Sequence, residues 1–142
     1  MRVAGVYEKC RIYIESHNKP SQNRPAFPCI TISRQTGTRA DIIGHKLVEI
    51  LNRYSSDDRT EWTYFDKNLI EKVIEDHHLP HILSEFMDED KVHNLKNMVN
   101  EILGNPSGQT FVRQMSETIL QIARLGKAVI IGRGGNVITS KL

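Results

Sequence analysis

The sequence predicts an α/β fold in which a doubly wound parallel sheet is built from strands that alternate with helices. Three short runs, near 27–33, 61–65 and 127–132, have the length and the β-branched or aromatic content of strands. Stretches with apolar residues at helical spacing separate these runs. Because strands joined through helices run in the same direction, we expect a parallel sheet.

Length, charge and cysteine content exclude several classes of protein. The 142 residues are enough for one domain with a core, and the net charge of +2 gives no argument for nucleic acid. No apolar stretch approaches the roughly 18 residues of a membrane helix, and the N-terminus is too charged for a signal peptide. Cys10 and Cys29 lack metal-site spacing. We expect them to be reduced thiols in a cytoplasmic protein.

The first third of the chain predicts a helix, a linker and a strand. Residues 3–17 form a weak helix, and the polar, proline-bearing stretch 18–25 follows as a linker. We therefore divide the chain into an N-terminal helix with its linker, 1–26, and a domain over 27–142. Helix-breaking residues on both sides of 27–33 favour a strand over a helix there.

The next helix is predicted over 39–54, with charged residues outside. Its apolar face is predicted to comprise Ile43, Leu47, Ile50, Leu51 and Tyr54. The strand 61–65 follows, in which Trp62 is interpreted as core packing. Asp66 is in position to cap a helix over 67–77. The side chains of this helix that we expect to point inward are Leu69, Ile70, Val73 and Ile74.

The later part of the chain predicts more helices and the third strand. One or two helices span 81–103, and a loop spans 104–108. The helix predicted over 109–125 has one apolar stripe, formed by Phe111, Met115, Ile119 and Ile122. We expect Gly126 to end this helix. His77, His78 and His81 cluster without a placed acidic partner, so a zinc site is a minor alternative. Asp88, Glu89 and Asp90 are interpreted as a solvated face or a cap.

Two glycine-bearing loops follow strands and are the candidates for chemistry. Ligands of parallel sheets bind beyond the carboxyl ends of the strands. The loop 33–39 enters a helix N-terminus, where backbone N–H groups and the helix dipole favour an anion. Gly37 would let the backbone come close to an anion, and Arg34 and Arg39 could donate charge-assisted hydrogen bonds to phosphate oxygens. The local pattern alone equally allows a plain turn.

The second loop, 132–136, presents Arg133 among three glycines. Such a loop gives an arginine room for a bidentate contact. A flexible turn with a solvated arginine is the alternative at this point.

Three ordered segments, ITISRQTGT (30–38), YFDKNLIEKV (64–73) and GKAVIIGRGGNVI (126–138), resemble the cytidylate kinase-like family of P-loop nucleoside monophosphate kinases. The resemblance implies a P-loop NTPase-like fold and transfer of the ATP γ-phosphoryl group to a nucleotide such as CMP, with Mg²⁺ bridging the phosphates. From the charge and the lack of a long apolar stretch, we expect no nucleic-acid or membrane partner.

The resemblance also implies roles for individual residues. Arg34, Arg39 and Arg133 would be catalytic. Asp66, Lys67 and Arg133 would lie near the acceptor monophosphate. Asp41 falls where ordinary P-loops place the Mg²⁺ ligand. The residues implied to hold ATP are Ser33, Gln35, Thr36, Gly37, Thr38, Arg39 and Asp41.

The sequence departs from the family pattern in two ways. Arg39 and Ala40 occupy positions where this branch has Gly-Gly, and Ala40 cannot replace a P-loop lysine. We interpret the loop as a phosphate loop with rewritten chemistry. The chain also stops soon after the third strand, before a lid and the final strands. It therefore resembles the N-terminal part of the kinase domain, with a sheet edge open to pairing or to a homo-oligomer.

Three hypotheses remain open from the sequence: an impaired cytidylate kinase-like enzyme, a non-catalytic nucleotide-binding or regulatory module on the same fold, and a helical interaction protein whose loops are only turns. Stabilisation by ATP separates the third from the others. Turnover with CMP separates the first from the second.

Overall fold

The architecture was obtained from a computed structural model, which describes residues 3–17, 27–56, 60–75, 97, 99–101 and 110–142. Residues 97 and 99–101 are helical. The other elements are α1 (Val3–Ser16), β1 (Cys29–Ile32), α2 (Ala40–Tyr54), β2 (Thr63–Phe65), α3 (Lys67–Glu75), α4 (Thr110–Leu125), β3 (Ala128–Ile131), α5 (Gly135–Ile138) and a 3-10 turn (Thr139–Lys141).

The three strands form one parallel sheet in the order β1-β3-β2. In β1, Cys29 lies opposite Ala128 and Ile32 lies opposite Ile131, and β2 pairs with the other side of β3. The predicted parallel pairing of the first and third strands is confirmed. All four residues of β3 are buried, as expected for a central strand with neighbours on both sides.

Helices cover both faces of this sheet. Ala128 and Ile130 of β3 pack into a core with α1, α3 and α4, whereas Val129 and Ile131 pack against α2. The alternation follows from the two-residue period of a strand. Trp62 belongs to the second core, which confirms its predicted packing role.

The face of α2 that contacts the sheet agrees with the prediction only in part: Leu47 and Leu51 pack against the second core as predicted. Ile43, Ile50 and Tyr54 are exposed, at 60%, 40% and 79% of their accessible surface, so their predicted inward placement is wrong. Ala40 and Gly44 are the buried residues of this helix. A Cβ atom at Gly44 would lie 2.7 Å from Cε2 of Tyr64. Small side chains therefore let α2 approach the strands closely, and this approach fixes its rotation.

Other predicted boundaries hold with small shifts. The Asp66 carboxylate accepts a hydrogen bond from the Leu69 amide at 2.8 Å, so it caps α3 as predicted. Gly126 ends α4 with a φ of +76°. Lys127 precedes β3 instead of belonging to it, and Gly135 begins the short helix α5 instead of continuing a loop.

Several predictions lie outside the described residues. They concern the histidines 77, 78 and 81, the acidic residues 88–90, the loop 104–108 and most of the helical stretch 81–103. Phe111 lies in α4, but its side chain is also outside the description.

Candidate functional site

The two glycine-bearing loops begin side by side at the carboxyl edge of the sheet. β1 and β3 end in register, and the Gly132 amide donates a hydrogen bond to the Ile32 carbonyl at 3.1 Å. The first loop, Ser33–Arg39, therefore leaves the sheet next to the second, which runs from Gly132 to Gly134 before α5 begins. The predicted common edge for Gly37 and Arg133 is confirmed.

A turn shapes the first loop. The amide and the hydroxyl of Thr38 both donate to the Gln35 carbonyl, at 3.4 Å and 2.9 Å. Gly37 has a φ of +86°, which a side chain adopts only with strain. All seven residues from Ser33 to Arg39 are exposed, so the loop presents its backbone and side chains to solvent.

The loop ends at the N-terminus of α2 in an unusual backbone conformation. Arg39 is the N-cap residue, has a φ of 51° and forms no side-chain cap hydrogen bond. A non-glycine residue in this left-handed region costs about 1–3 kcal/mol. The first turn carries one acidic residue, Asp41, near the positive end of the helix dipole.

A hydrogen bond joins the two loops across the edge. Nη2 of Arg133 donates to Oγ1 of Thr36 at 3.1 Å, and both groups are exposed. An open cavity of about 690 Å³ lies beside this contact. Its lining residues are Ser33, Arg34, Gln35 and Arg133. Two arginines from separate loops thus line one cavity.

Tyr64 lies at the same edge, and the sequence prediction did not include it among the site residues. Its side chain is buried and its ring stacks on His45, with 4.0 Å between the ring centroids. Burial raises the pKa of Tyr64 to about 12, with the carboxylates of Asp66 and Asp41 acting in the same direction and Arg34 opposing them. The phenol therefore lies within electrostatic reach of three predicted site residues.

A sequence signal for Tyr64 exists, although it is weak. Tyr64 lies in β2 two residues before Asp66, near the carboxyl end of the strand. Its placement under α2 depends on Gly44, whose missing side chain makes space for the ring. A glycine within a helix that follows a candidate phosphate loop points to such a close approach.

Asp66 and Lys67, which were predicted to lie near the acceptor monophosphate, both make contacts within their own helix region. Asp66 uses one carboxylate oxygen as the cap of α3. The Lys67 ammonium lies 3.5 Å from the Glu71 carboxylate, one helical turn along, and is largely exposed. This surface pair is worth little stability. The structure thus assigns both residues local contacts, and their contact with a substrate stays a prediction.

The comparison with family models gives a match over most of the chain. The model described as the cytidylate kinase-like family matches residues 29–141, which include all three strands and both loops. The chain belongs to the cytidylate kinase-like family. No curated protein and no solved structure matched it.

The charges and burial of three residues bear on the phosphate site predicted for this cytidylate kinase-like chain. Ala40, the first residue of α2, is buried in the second core, so its side chain offers neither charge nor hydrogen-bond donor to a ligand. Arg34 and Arg39 make no ion pair within the described part of the chain, and both are exposed. Their charges are therefore free of the internal partners that would oppose an incoming anion.

Metal and membrane features are limited. Among the described residues, no group of three or more His, Cys, Asp or Glu side chains could hold a metal ion. Asp41 offers an exposed carboxylate next to the loop 33–39. None of the helices described is long and apolar enough to cross a membrane.

Proposed function

We propose that this chain binds the phosphates of ATP at the carboxyl edge of its sheet and transfers the γ-phosphoryl group slowly to a nucleoside monophosphate such as CMP. The observation that carries the proposal is the cavity lined by both Arg34 and Arg133, beside a loop that enters a helix N-terminus. Guanidinium groups and helix N-termini are both strong phosphate ligands. Membership of the cytidylate kinase-like family supports the same class of ligand.

The roles of the residues follow from their positions. The backbone of the loop 33–39, with the side chains of Ser33 and Thr38, would cradle the ATP phosphates, and Arg34 and Arg39 would balance their charge. Arg133 projects from the other loop and would contact the acceptor phosphate, near Asp66 and Lys67.

Asp41 is the residue that would hold Mg²⁺. A carboxylate is a hard oxygen ligand of the kind that this ion prefers, and Mg²⁺ usually takes one or two carboxylates together with substrate phosphates. When bound, Mg²⁺ neutralises charge that develops on the phosphate oxygens. Asp41 lies at the start of α2, where it is exposed.

Slow transfer is expected from the rewritten loop. Phosphoryl transfer depends on positioning and on electrostatic stabilisation of a charge-rich transition state. Ala40 supplies no such charge, and its burial leaves no space for a longer side chain to take over. Arg39 is anchored through a strained backbone next to this position, so its guanidinium would approach the phosphates from a different direction than a P-loop lysine does.

The second candidate function is a nucleotide-binding or regulatory module that binds the same phosphates without transferring them. The buried Ala40 at the lysine position favours it, because binding can use the loop amides and arginines alone. The two candidates share a binding site and differ only in turnover.

Calorimetric titration with ATP and Mg²⁺, followed by a coupled assay with CMP, tests the proposal. We expect measurable ATP binding that Arg34→Ala weakens about tenfold, in line with the loss of a charge-assisted hydrogen bond. Arg53→Ala is the matched control, because Arg53 lies at the far end of α2 and pairs with Glu49. CMP phosphorylation above background supports the kinase. Binding without turnover supports the module, and absence of ATP binding contradicts both.

A further inference from the structure

We propose that Thr36 is a positioning residue that holds the Arg133 guanidinium over the phosphate cavity before a ligand arrives. The inference rests on the proposed function, since it concerns how the same site is pre-organised. It gives Thr36 a task that differs from direct contact with ATP. Within the loop 33–39, the hydroxyl of Thr36 hydrogen-bonds to the second loop, whereas the hydroxyl of Thr38 bonds within its own loop.

The contact is formed between two segments that meet only through the fold. Thr36 and Arg133 are 97 positions apart in the sequence, and parallel pairing of β1 with β3 brings their loops together. Neither side chain is held by burial, because both are exposed. The hydrogen bond at 3.1 Å is therefore a specific restraint on the arginine.

The restraint leaves Arg133 able to bind an anion. A guanidinium carries five N–H donors, and the contact with Thr36 occupies one of them. Arg133 lines the cavity while it makes this contact. The hydroxyl of Thr36 accepts this bond and so keeps its own proton for a further partner. The bond and the ligand are thus compatible.

Pre-organisation gives the hydrogen bond its effect on affinity. A free arginine side chain has many rotamers, and binding a ligand through it costs entropy unless the side chain is already ordered. Thr36 is suited to order it, because a β-branched side chain is stiff about χ1. The neighbouring turn, closed by Thr38 on Gln35, fixes the backbone from which Thr36 projects.

A double-mutant cycle on the full chain tests the role, with inorganic pyrophosphate as the probe in calorimetric titration. Thr36→Val keeps the shape and removes the hydroxyl, and we expect about fivefold weaker binding. Thr36→Ser keeps the hydroxyl and should bind within about twofold of the wild type. Arg133→Ala should weaken binding by about tenfold, and Thr36→Val should add nothing in that background.

Each outcome has a defined meaning. Equal effects of Thr36→Val with and without Arg133 would overturn the proposal, because the hydroxyl would then act without the arginine. Tighter binding by Thr36→Val would overturn it too, because the bond would then compete with the ligand. If Arg133→Ala weakens binding and Thr36→Val does not, only the role of Thr36 fails. If Arg133→Ala has no effect, the proposed phosphate site itself fails. Thr36 is exposed, so the variants are expected to fold, and their Tm values check this.

Discussion

Two basic residues with nearly the same positive φ lie at opposite edges of the sheet and have opposite surroundings. Arg39, with a φ of 51°, ends the first loop at the carboxyl edge and is exposed. Lys127, with a φ of 52°, precedes β3 at the amino edge and is 3% exposed. Because the φ angles match, we compare what each side chain contacts.

The amino edge is closed by internal contacts. Nζ of Lys127 donates to the Thr60 carbonyl at 2.8 Å and lies 4.4 Å from the centroid of the Phe27 ring. The Tyr13 hydroxyl donates to the Gly126 carbonyl at 2.5 Å, which ties α1 to the end of α4. The positive charge at this edge is used by the protein itself, so its role is structural.

The basic residues at the carboxyl edge differ from Lys127 in their contacts. Arg34 and Arg39 are exposed without ion pairs in the described residues, and Arg133 has a hydroxyl partner only. At Lys127 the left-handed backbone accompanies a charge that is satisfied within the fold. At Arg39 it accompanies an exposed charge, which is the arrangement that the proposed phosphate site requires.

We expect the largest difference between the two edges in the free energy of unfolding of alanine variants at two glycines with positive φ. A Cβ atom at Gly126 would collide with the backbone carbonyl of Phe27, whereas a Cβ atom at Gly37 would meet nothing within 4 Å. Gly126→Ala should lower the free energy of unfolding by about 3 kcal/mol or more, from overpacking plus left-handed strain. Gly37→Ala should cost about 1 kcal/mol, from strain alone. Urea unfolding of both variants measures this, and equal losses would contradict the comparison.

Removal of the buried ammonium should have the next largest effect. Lys127→Met keeps the apolar stem but leaves the Thr60 carbonyl without the ammonium donor. We expect about 2 kcal/mol lower stability, because a hydrogen bond to a charged group is lost in a buried site. Pyrophosphate binding should stay within about twofold of the wild type. A loss of anion binding with unchanged stability would reverse the roles of the two edges.

The matched change at the carboxyl edge should separate stability from binding. Arg39→Gly relieves the left-handed strain, and the entropy of an added glycine offsets part of that gain, so stability should rise by about 0.5 kcal/mol. Pyrophosphate affinity should fall about threefold with the lost charge. Unfolding curves and titrations on the same preparation give both values. A destabilised variant with unaltered affinity would make Arg39 a structural residue like Lys127.

The smallest expected effect concerns Cys29, at the start of β1. Burial raises the pKa of the Cys29 thiol to about 11, from an ordinary value of 9.0. The folded chain therefore holds the thiol neutral at a pH where the unfolded chain ionises it. The stability from this group is complete below pH 9 and declines as the pH rises toward 11. In urea midpoints between pH 7 and 10, Cys29→Ser should flatten the alkaline decline slightly. A steeper decline in the variant would contradict the pKa direction.

Much of the fold could be predicted because its signals are local. The strand 29–32, the cap at Asp66 and the stop at Gly126 each depend on a few neighbouring residues. Parallel pairing followed from helices between strands, and that rule needs no long-range contact. Family membership followed from three ordered segments, since their spacing is a property of the sequence itself.

The errors arise where packing overrides periodicity. The prediction for α2 counted large apolar residues such as Ile43 and Ile50, while the helix docks through Ala40 and Gly44. A close helix–strand contact selects small side chains, which a count of large apolar residues leaves out. The Thr36–Arg133 bond and the position of Tyr64 under α2 depend on that same assembly, so neither could be derived from the loops alone.

Amide chemical-shift mapping with ATP and Mg²⁺ shows directly whether the carboxyl edge binds nucleotide phosphates. We expect shifts in the backbone of Arg34–Arg39 and of Gly132–Gly134, where the two loops meet. We expect unchanged amide signals for Gly126 and Lys127 at the amino edge. Shifts confined to the amino edge, or none at millimolar ATP, would contradict phosphate binding at the carboxyl edge.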